Sequence, residues 1–215
     1  MNTGLLSLKP ALVLGAFICW WFRRGVFAPR TGLLGAQLLV AFIVESYAVY
    51  CAELRIPNLW LYDLYVPVEF TLLLGYVHGQ LTQPWQRRSI LPAWLILAVA
   101  CALDLHAKYP EGFVSGAYIT GSLVLVAAFL ALLYDLALRV DVALHRQPLF
   151  WAHLGMALFF SGMVPLLGLW NKLVQENAHL AADLYAANHA LFALRYGGIL
   201  IACVVAGRLS SPGNP

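Results

Sequence analysis

An all-α, polytopic membrane bundle of seven helices is the architecture this sequence predicts, with the N-terminus outside and the C-terminus in the cytoplasm. Three observations carry that expectation. Hydrophobic residues make up 62% of the 215 and charged residues only 11%, with a mean hydropathy of +0.78, whereas a water-soluble domain carries about 25% charged residues. The apolar residues gather into runs that approach or exceed the ~20 residues a helix needs to cross the hydrocarbon core. Within those runs polar and apolar residues do not alternate, as they do in the strands of a transmembrane barrel.

Seven spans follow in order, at roughly 5–22, 32–52, 59–81, 90–105, 115–136, 149–170 and 184–207, to within a few residues at each edge. The first is followed by Arg23 and Arg24 rather than a small-residue cleavage site, so it reads as a retained helix and not a signal peptide. Most breaks carry proline or charge: Ala28-Pro29-Arg30, Ile56-Pro57-Asn58, Gln83-Pro84-Trp85, Tyr109-Pro110-Glu111-Gly112 and Arg146-Gln147-Pro148. The fourth span is the shortest. The connections are too short for a separate soluble domain, so residues 1–215 are expected to form a single membrane domain.

Orientation comes from the basic residues. Arg23, Arg24, Arg30, Arg87, Arg88, Arg139, Arg146 and Arg208 fall on one side of this arrangement, and Lys9, Arg55, Lys108 and Lys172 on the other. The richer side marks the cytoplasm. Trp20, Trp21, Trp85 and Trp151 then lie near the inner interface, with Trp60 and Trp170 near the outer one. The net charge of +3 is therefore a topology signal. The lipid bilayer is the expected partner, and nucleic acid is not. Cys19, Cys51, Cys101 and Cys203 sit in apolar runs without CxxC spacing, as small buried hydrophobes do.

Charge inside a bilayer is expensive and needs a partner or an aqueous cavity. Asp104, Asp135 and His78 lie near span ends and are expected to reach the interface. Glu45 in the second helix, Asp63 and Glu69 in the third, and His189 and Arg195 in the seventh lie deeper; His153 lies toward the cytoplasmic end of the sixth. At 1.5 Å per residue, Glu69 and Arg195 are each roughly 15 Å in from the outer surface. Opposite charges at one depth predict an ion pair. Glu45, Asp63 and His189 lie above it, which concentrates the polar set between midplane and outer surface.

Helical faces agree. Asn58, Tyr62, Tyr65, Glu69 and Tyr76 form one stripe of the third helix; Tyr185, Asn188 and Arg195 form another on the seventh, with His189 and Tyr196 beside it. Gln37 and Glu45 align on the second. An outward-facing cavity between helices 2, 3 and 7 is thus expected, bound by Glu45, Tyr62, Tyr65, Glu69, Asn188, His189 and Arg195. The alternative is that the pair only fixes helix register, with tyrosines satisfying buried polar groups. His153 alone reads best as a satisfied core histidine. Pro67 and Pro165 free the carbonyls of Asp63 and Ser161 and predict static kinks. Gly75 and Gly79 have the GxxxG spacing that permits close helix contact.

Several chemistries are excluded. The seventh helix has no lysine for a retinal Schiff base, and there is no HExxH, GxSxG or Walker A loop. The intramembrane histidines lie at depths that do not suit bis-histidine haem. No metal or other cofactor is expected, and no catalytic residue is assigned. Val66-Pro-Val-Glu-Phe70 is similar to the Pro-x-Glu motifs of membrane lycopene cyclases, but the rest of that pattern is missing.

Three segments carry a broader likeness: Pro57-Asn-Leu-Trp-Leu-Tyr-Asp-Leu-Tyr-Val-Pro-Val-Glu-Phe70, Pro148-Leu-Phe-Trp-Ala-His-Leu-Gly-Met-Ala-Leu-Phe-Phe-Ser-Gly162, and Asn188-His189 with Arg195-Tyr196. They resemble a group of small uncharacterised multi-helix membrane proteins common in Bacteroidetes-type bacteria, some encoded near sensor histidine kinases. Asn58, Trp60, Tyr62, Tyr65, Glu69, Ser161 and His189 fall where that group carries similar residues. Asp63 departs from it, since histidine is expected there, and Arg195 has no assigned counterpart. The resemblance implies a bacterial inner membrane and signalling.

Together these features favour a receptor-like or sensory module that binds a small ligand in the cavity and passes its state to a signalling protein partner. A small proton- or solute-coupled transporter, with Glu45, Asp63, Glu69 and His189 as a relay, is the alternative. An intramembrane enzyme acting on lipid or isoprenoid through Glu69 or His189 is a further one, and an assembly or scaffold role remains.

Overall fold

The computed structural model of the protein describes residues 8–28, 31–108, 115–139, 143–176 and 178–209, without the side chains of 108, 171, 172, 174–176, 178–186 and 209. Arg30, the break at 109–112 and the side chains of Lys108, Lys172 and Tyr185 therefore lie outside the described residues. Within them the apolar runs form seven α-helices: α1 (Leu8–Arg23), α2 (Thr31–Glu53), α3 (Leu59–Gln80), α4 (Pro84–Lys108), α5 (Ser115–Arg139), α6 (Pro148–Glu176) and α7 (Ala178–Leu209). Short 3-10 turns at Arg24–Phe27 and Leu144–Arg146 follow α1 and precede α6.

The connections show why the helices stop. After α2, Arg55 takes a left-handed backbone (φ 58). The Ile56 N–H then donates to the Cys51 carbonyl at 2.9 Å, and the Arg55 N–H to the Ala52 carbonyl at 3.2 Å. This is the two-bond closure of a Schellman end, with an arginine where glycine is usual. At the start of α4, Pro84 occupies the first helical position, where its missing N–H costs nothing. Consequently α4 begins at Pro84 rather than at residue 90, and at 25 residues it is not the shortest helix. The polar first turns, with Gln86, Arg87 and Arg88, hid that start from a reading based on hydropathy. Both α3 and α6 run through their prolines, Pro67 and Pro165, as continuous helices.

Lys9, Ala52, Asn58, Tyr118, Trp170 and Asn188 gather at one end of the bundle, here the upper end. Ala28, Thr82, Arg87, Arg139 and Leu149 gather at the other, lower end. Successive helices thus run in opposite directions. α1 packs on α2 and α7, α6 joins α5 to α7, and α3 lies against α2, α4 and α5. Six helices are long and apolar enough to cross a membrane, and α3 is the exception. Its Tyr65, Glu69, Tyr76 and Gln80 are all buried in the protein, so these polar groups face the bundle interior. Apolar side chains on the other helices face outward instead, among them Phe22, Leu95, Leu103, Leu123 and Leu130. So large an apolar surface needs a bilayer to cover it, and the chain is a multi-pass membrane protein by helix length and hydropathy.

The tightest crossing joins α6 to α7 at Gly155 and Gly198. A Cβ on Gly155 would stand 2.6 Å from the Leu194 carbonyl oxygen, and one on Gly198 would stand 3.1 Å from the Gly155 Cα. Backbone meets backbone there. At Gly75, by contrast, the nearest atoms belong to the side chains of Leu33, 3.0 Å from the position of a Cβ, and Trp94. Cys51, Cys101 and Cys203 are buried and Cys19 half-buried, all as free thiols.

Candidate ligand cavity

One turn of α3 organises the site. Tyr65 and Glu69 are four residues apart, so both side chains lie on one face; the Tyr65 hydroxyl donates to Glu69 Oε1 at 2.8 Å. Gln37 of α2 spans the gap, its Nε2 donating to the Tyr65 oxygen at 3.2 Å and to the same Oε1 at 3.4 Å. Arg195 of α7 completes the cluster, with Nη1 2.5 Å from Glu69 Oε1. Glu69 and Arg195 are each only 1% exposed. Three donors from three helices converge on a single carboxylate oxygen.

The Gly155–Gly198 crossing sets the depth of that arginine. Gly198 is three residues beyond Arg195, and the Arg195 carbonyl itself faces Gly155 at 3.3 Å from the position of a Cβ there. The guanidinium lies over the rings of Phe159, Tyr196 and Phe160, at 4.8, 5.1 and 5.3 Å from their centroids, in cation–π range. Its Nε and Nη2 have no hydrogen-bond partner among the described residues, and neither does Gln37 Oε1.

Above the pair opens a cavity of about 380 Å³. Of the residues expected at the site, Glu45, Tyr62, Tyr65, Glu69, Asn188 and Arg195 line it. His189, half-buried on α7, does not, and neither does the half-buried Asp63. Their positions on α7 and α3 turn them off the stripe that faces the cavity. Glu45 is within hydrogen-bonding reach of Tyr62, and the charges acting on it are those of Lys9, Glu69 and Arg195. The wall is not confined to helices 2, 3 and 7. Tyr118 comes from α5, Phe159, Met163, Leu166, Leu167 and Trp170 from α6, and Lys9 from α1.

Lys9 is a cavity residue that sequence reasoning did not single out. Counted as an outer flanking charge, it is 7% exposed and holds its ammonium 5.2 Å from the Phe192 ring centroid. The signal was present in the spacing: Lys9, Val13, Ala16 and Trp20 form the buried face of α1, at the intervals of one helical stripe. Burying the stem along an aromatic ring while the head reaches a cavity is snorkelling directed inward.

The lower half of the bundle holds more polar groups than the charge pattern suggests. Asp135, expected at the interface, is 2% exposed. It accepts from the Thr82 N–H at 3.1 Å, from the Thr82 hydroxyl at 2.7 and 2.9 Å, and from Arg139 Nη2 at 2.7 Å. Thus it ties the α3–α4 turn to α5. Tyr76 Oη lies 3.2 Å from His153 Nε2, and Phe129 packs beside that ring at 6.0 Å. His153 has one partner only, since its Nδ1 bonds to nothing among the described residues. Between this region and the upper cavity, Phe160 stacks on Phe129 and meets Phe70 at a tilt, all three fully buried.

Among the described residues no three His, Cys, Asp or Glu side chains converge as a metal site. The fold and the cavity define a class: a multi-pass helical membrane protein with a buried ion pair at the floor of a polar and aromatic pocket. No family model matches the chain, and no curated protein or solved structure is similar to it.

Proposed function

We propose that this protein is a receptor-like sensory module of a bacterial inner membrane, with its arginine-rich lower end in the cytoplasm. It binds a small ligand from the outer side, in the cavity above Glu69 and Arg195, and passes its state to a signalling protein partner. The observation that carries this reading is the incomplete pairing of Arg195. A pair that served only helix register would be expected to have its remaining polar groups satisfied by protein. Here two nitrogens of a fully buried guanidinium have no hydrogen-bond partner among the described residues, at the floor of a cavity of about 380 Å³. That volume falls in the range of small-molecule sites, which run from about 300 to 1,000 Å³. A ligand acceptor atom would complete the arginine's bonding, and the aromatic wall would hold an apolar body.

Native mass spectrometry of protein released from mild detergent tests the reading, with wild type beside Glu69→Gln/Arg195→Gln. The expected result is a discrete additional mass on wild type alone. Bare protein in both samples, with the variant as stable as wild type, would remove the ligand site.

A second reading, a proton- or solute-coupled transporter, is favoured by one observation: a second polar-lined cavity at the lower end, beyond the phenylalanine layer. Its test is flux into proteoliposomes, abolished by Glu69→Gln. Wild-type vesicles that carry no flux would leave the sensory reading alone.

A further inference from the structure

The lower cavity has its own chemistry. It measures about 170 Å³ and is lined by Arg87 from α4, Arg139 from α5 and His153 from α6, among others. Two arginines therefore line one small space. Each is held in place by a bond that leaves much of its fork unused. Arg87 donates through Nε to the Leu81 carbonyl; Arg139 donates through Nε to the Asp135 carbonyl and through Nη2 to the Asp135 carboxylate. Among the described residues, these bonds engage Nε of Arg87 and Nε and Nη2 of Arg139. Asp135 compensates one of the two positive charges, and its carboxylate is already engaged by Thr82. Among the described residues the cavity lining holds no acid against the second charge. At the back stands His153, 3% exposed, with its Nδ1 unpartnered among the described residues.

We propose that this lower cavity is an anion site that takes a phosphate group between Arg87 and Arg139, with the His153 imidazole behind it. Guanidinium forks match tetrahedral oxyanions with paired N–H donors. The volume is below that of drug-sized sites, which suits a phosphoryl group and excludes a bulky organic ligand. Free phosphate monoesters and the headgroups of anionic phospholipids share this chemistry, and basic pockets between helices at a membrane face hold lipid headgroups. The site is independent of the upper cavity, from which Phe70, Phe129 and Phe160 separate it.

The experiment follows thermal unfolding of the delipidated protein in a neutral maltoside detergent by tryptophan fluorescence. Sodium phosphate is titrated against sodium chloride at equal ionic strength, and short-chain phosphatidylglycerol against phosphatidylcholine. A saturable rise in melting temperature with phosphate assigns the site to free anions; a rise with phosphatidylglycerol alone assigns it to lipid. In either case Arg87→Gln, at an exposed residue outside the Asp135 cluster, weakens the apparent affinity about tenfold, and Arg87→Lys weakens it less. No saturable shift with either phosphate source, or equal responses of wild type and Arg87→Gln, overturns the proposal. Should the variant not fold, line broadening of the phosphorus resonance on wild type alone decides the question.

Discussion

Glu69 and Arg195 lie where neither lipid nor bulk water can solvate them, so each depends on the other. Removing one member of a buried pair typically costs about 3–5 kcal/mol, because an uncompensated charge stays behind. Glu69→Gln alone is therefore expected to lower unfolding stability by about that amount. The double change Glu69→Gln/Arg195→Gln should cost less than the sum of the single changes, measured by detergent-denaturant unfolding of all four proteins. Strictly additive losses would mean the two residues are not coupled. Asp104 offers a milder case. Its carboxylate accepts from the Ala117 N–H at 2.6 Å and so caps the start of α5 from α4. Asp104→Ala should cost about 0.5–2 kcal/mol, as other lost N-terminal caps do. Intact stability in that variant would make the contact incidental. At this scale Glu69 and Arg195 could be found from their depth in the spans. The inward turn of Lys9 was missed because its basic charge was considered without its helical face.

For the helices, the decisive contact is the backbone crossing of α6 and α7. A methyl group on Gly198 would collide with the Gly155 Cα and the Trp151 carbonyl, whereas one on Gly197 meets nothing within 4 Å. Gly198→Ala is thus expected to destabilise by about 1–3 kcal/mol through overpacking. It should also disturb the Glu69–Arg195 pair, three residues away. Gly197→Ala should be neutral or stabilising by up to about 1 kcal/mol, from helix propensity. Equal behaviour of the two variants in unfolding would contradict the crossing. Nothing local in the sequence marks Gly155 and Gly198 as partners, since the signal lies in two helices at once. Gly75 of the local and visible Gly75–Gly79 spacing faces side chains. α4 shows the converse difficulty: its polar first turns belong to the helix but not to any apolar run.

For the whole molecule, the arginine-rich lower end and the cavity at the upper end make orientation the main open variable, and it is directly testable. Arg55 and Arg88 are exposed at opposite ends, while the native cysteines are buried or half-buried. In spheroplasts, an impermeant maleimide is expected to label Arg55→Cys at once and Arg88→Cys only after permeabilisation. The reverse pattern would turn the cavity toward the cytoplasm and end the reading of an outward-facing receptor. Burying α3 inside the bundle has a consequence at this scale too. A helix with two acids and several tyrosines is stable in a membrane only when its neighbours shield it, so it depends on the bundle as the six more apolar helices do not.

The sequence by itself determined that the chain is helical and membrane-embedded, where most helices run, and that Glu69 and Arg195 share a depth. Each of these depends on composition and on position along one helix, and both are written in the order of residues. The tertiary structure decided which faces meet: that Lys9 turns inward, that Asp63 and His189 stand away from the cavity, that α5 and α6 complete its wall, and that Arg87, Arg139 and His153 converge below. Those outcomes depend on the rotation of each helix about its axis. That rotation is set by packing between distant segments, such as the glycine crossing of α6 and α7, and no single segment encodes it.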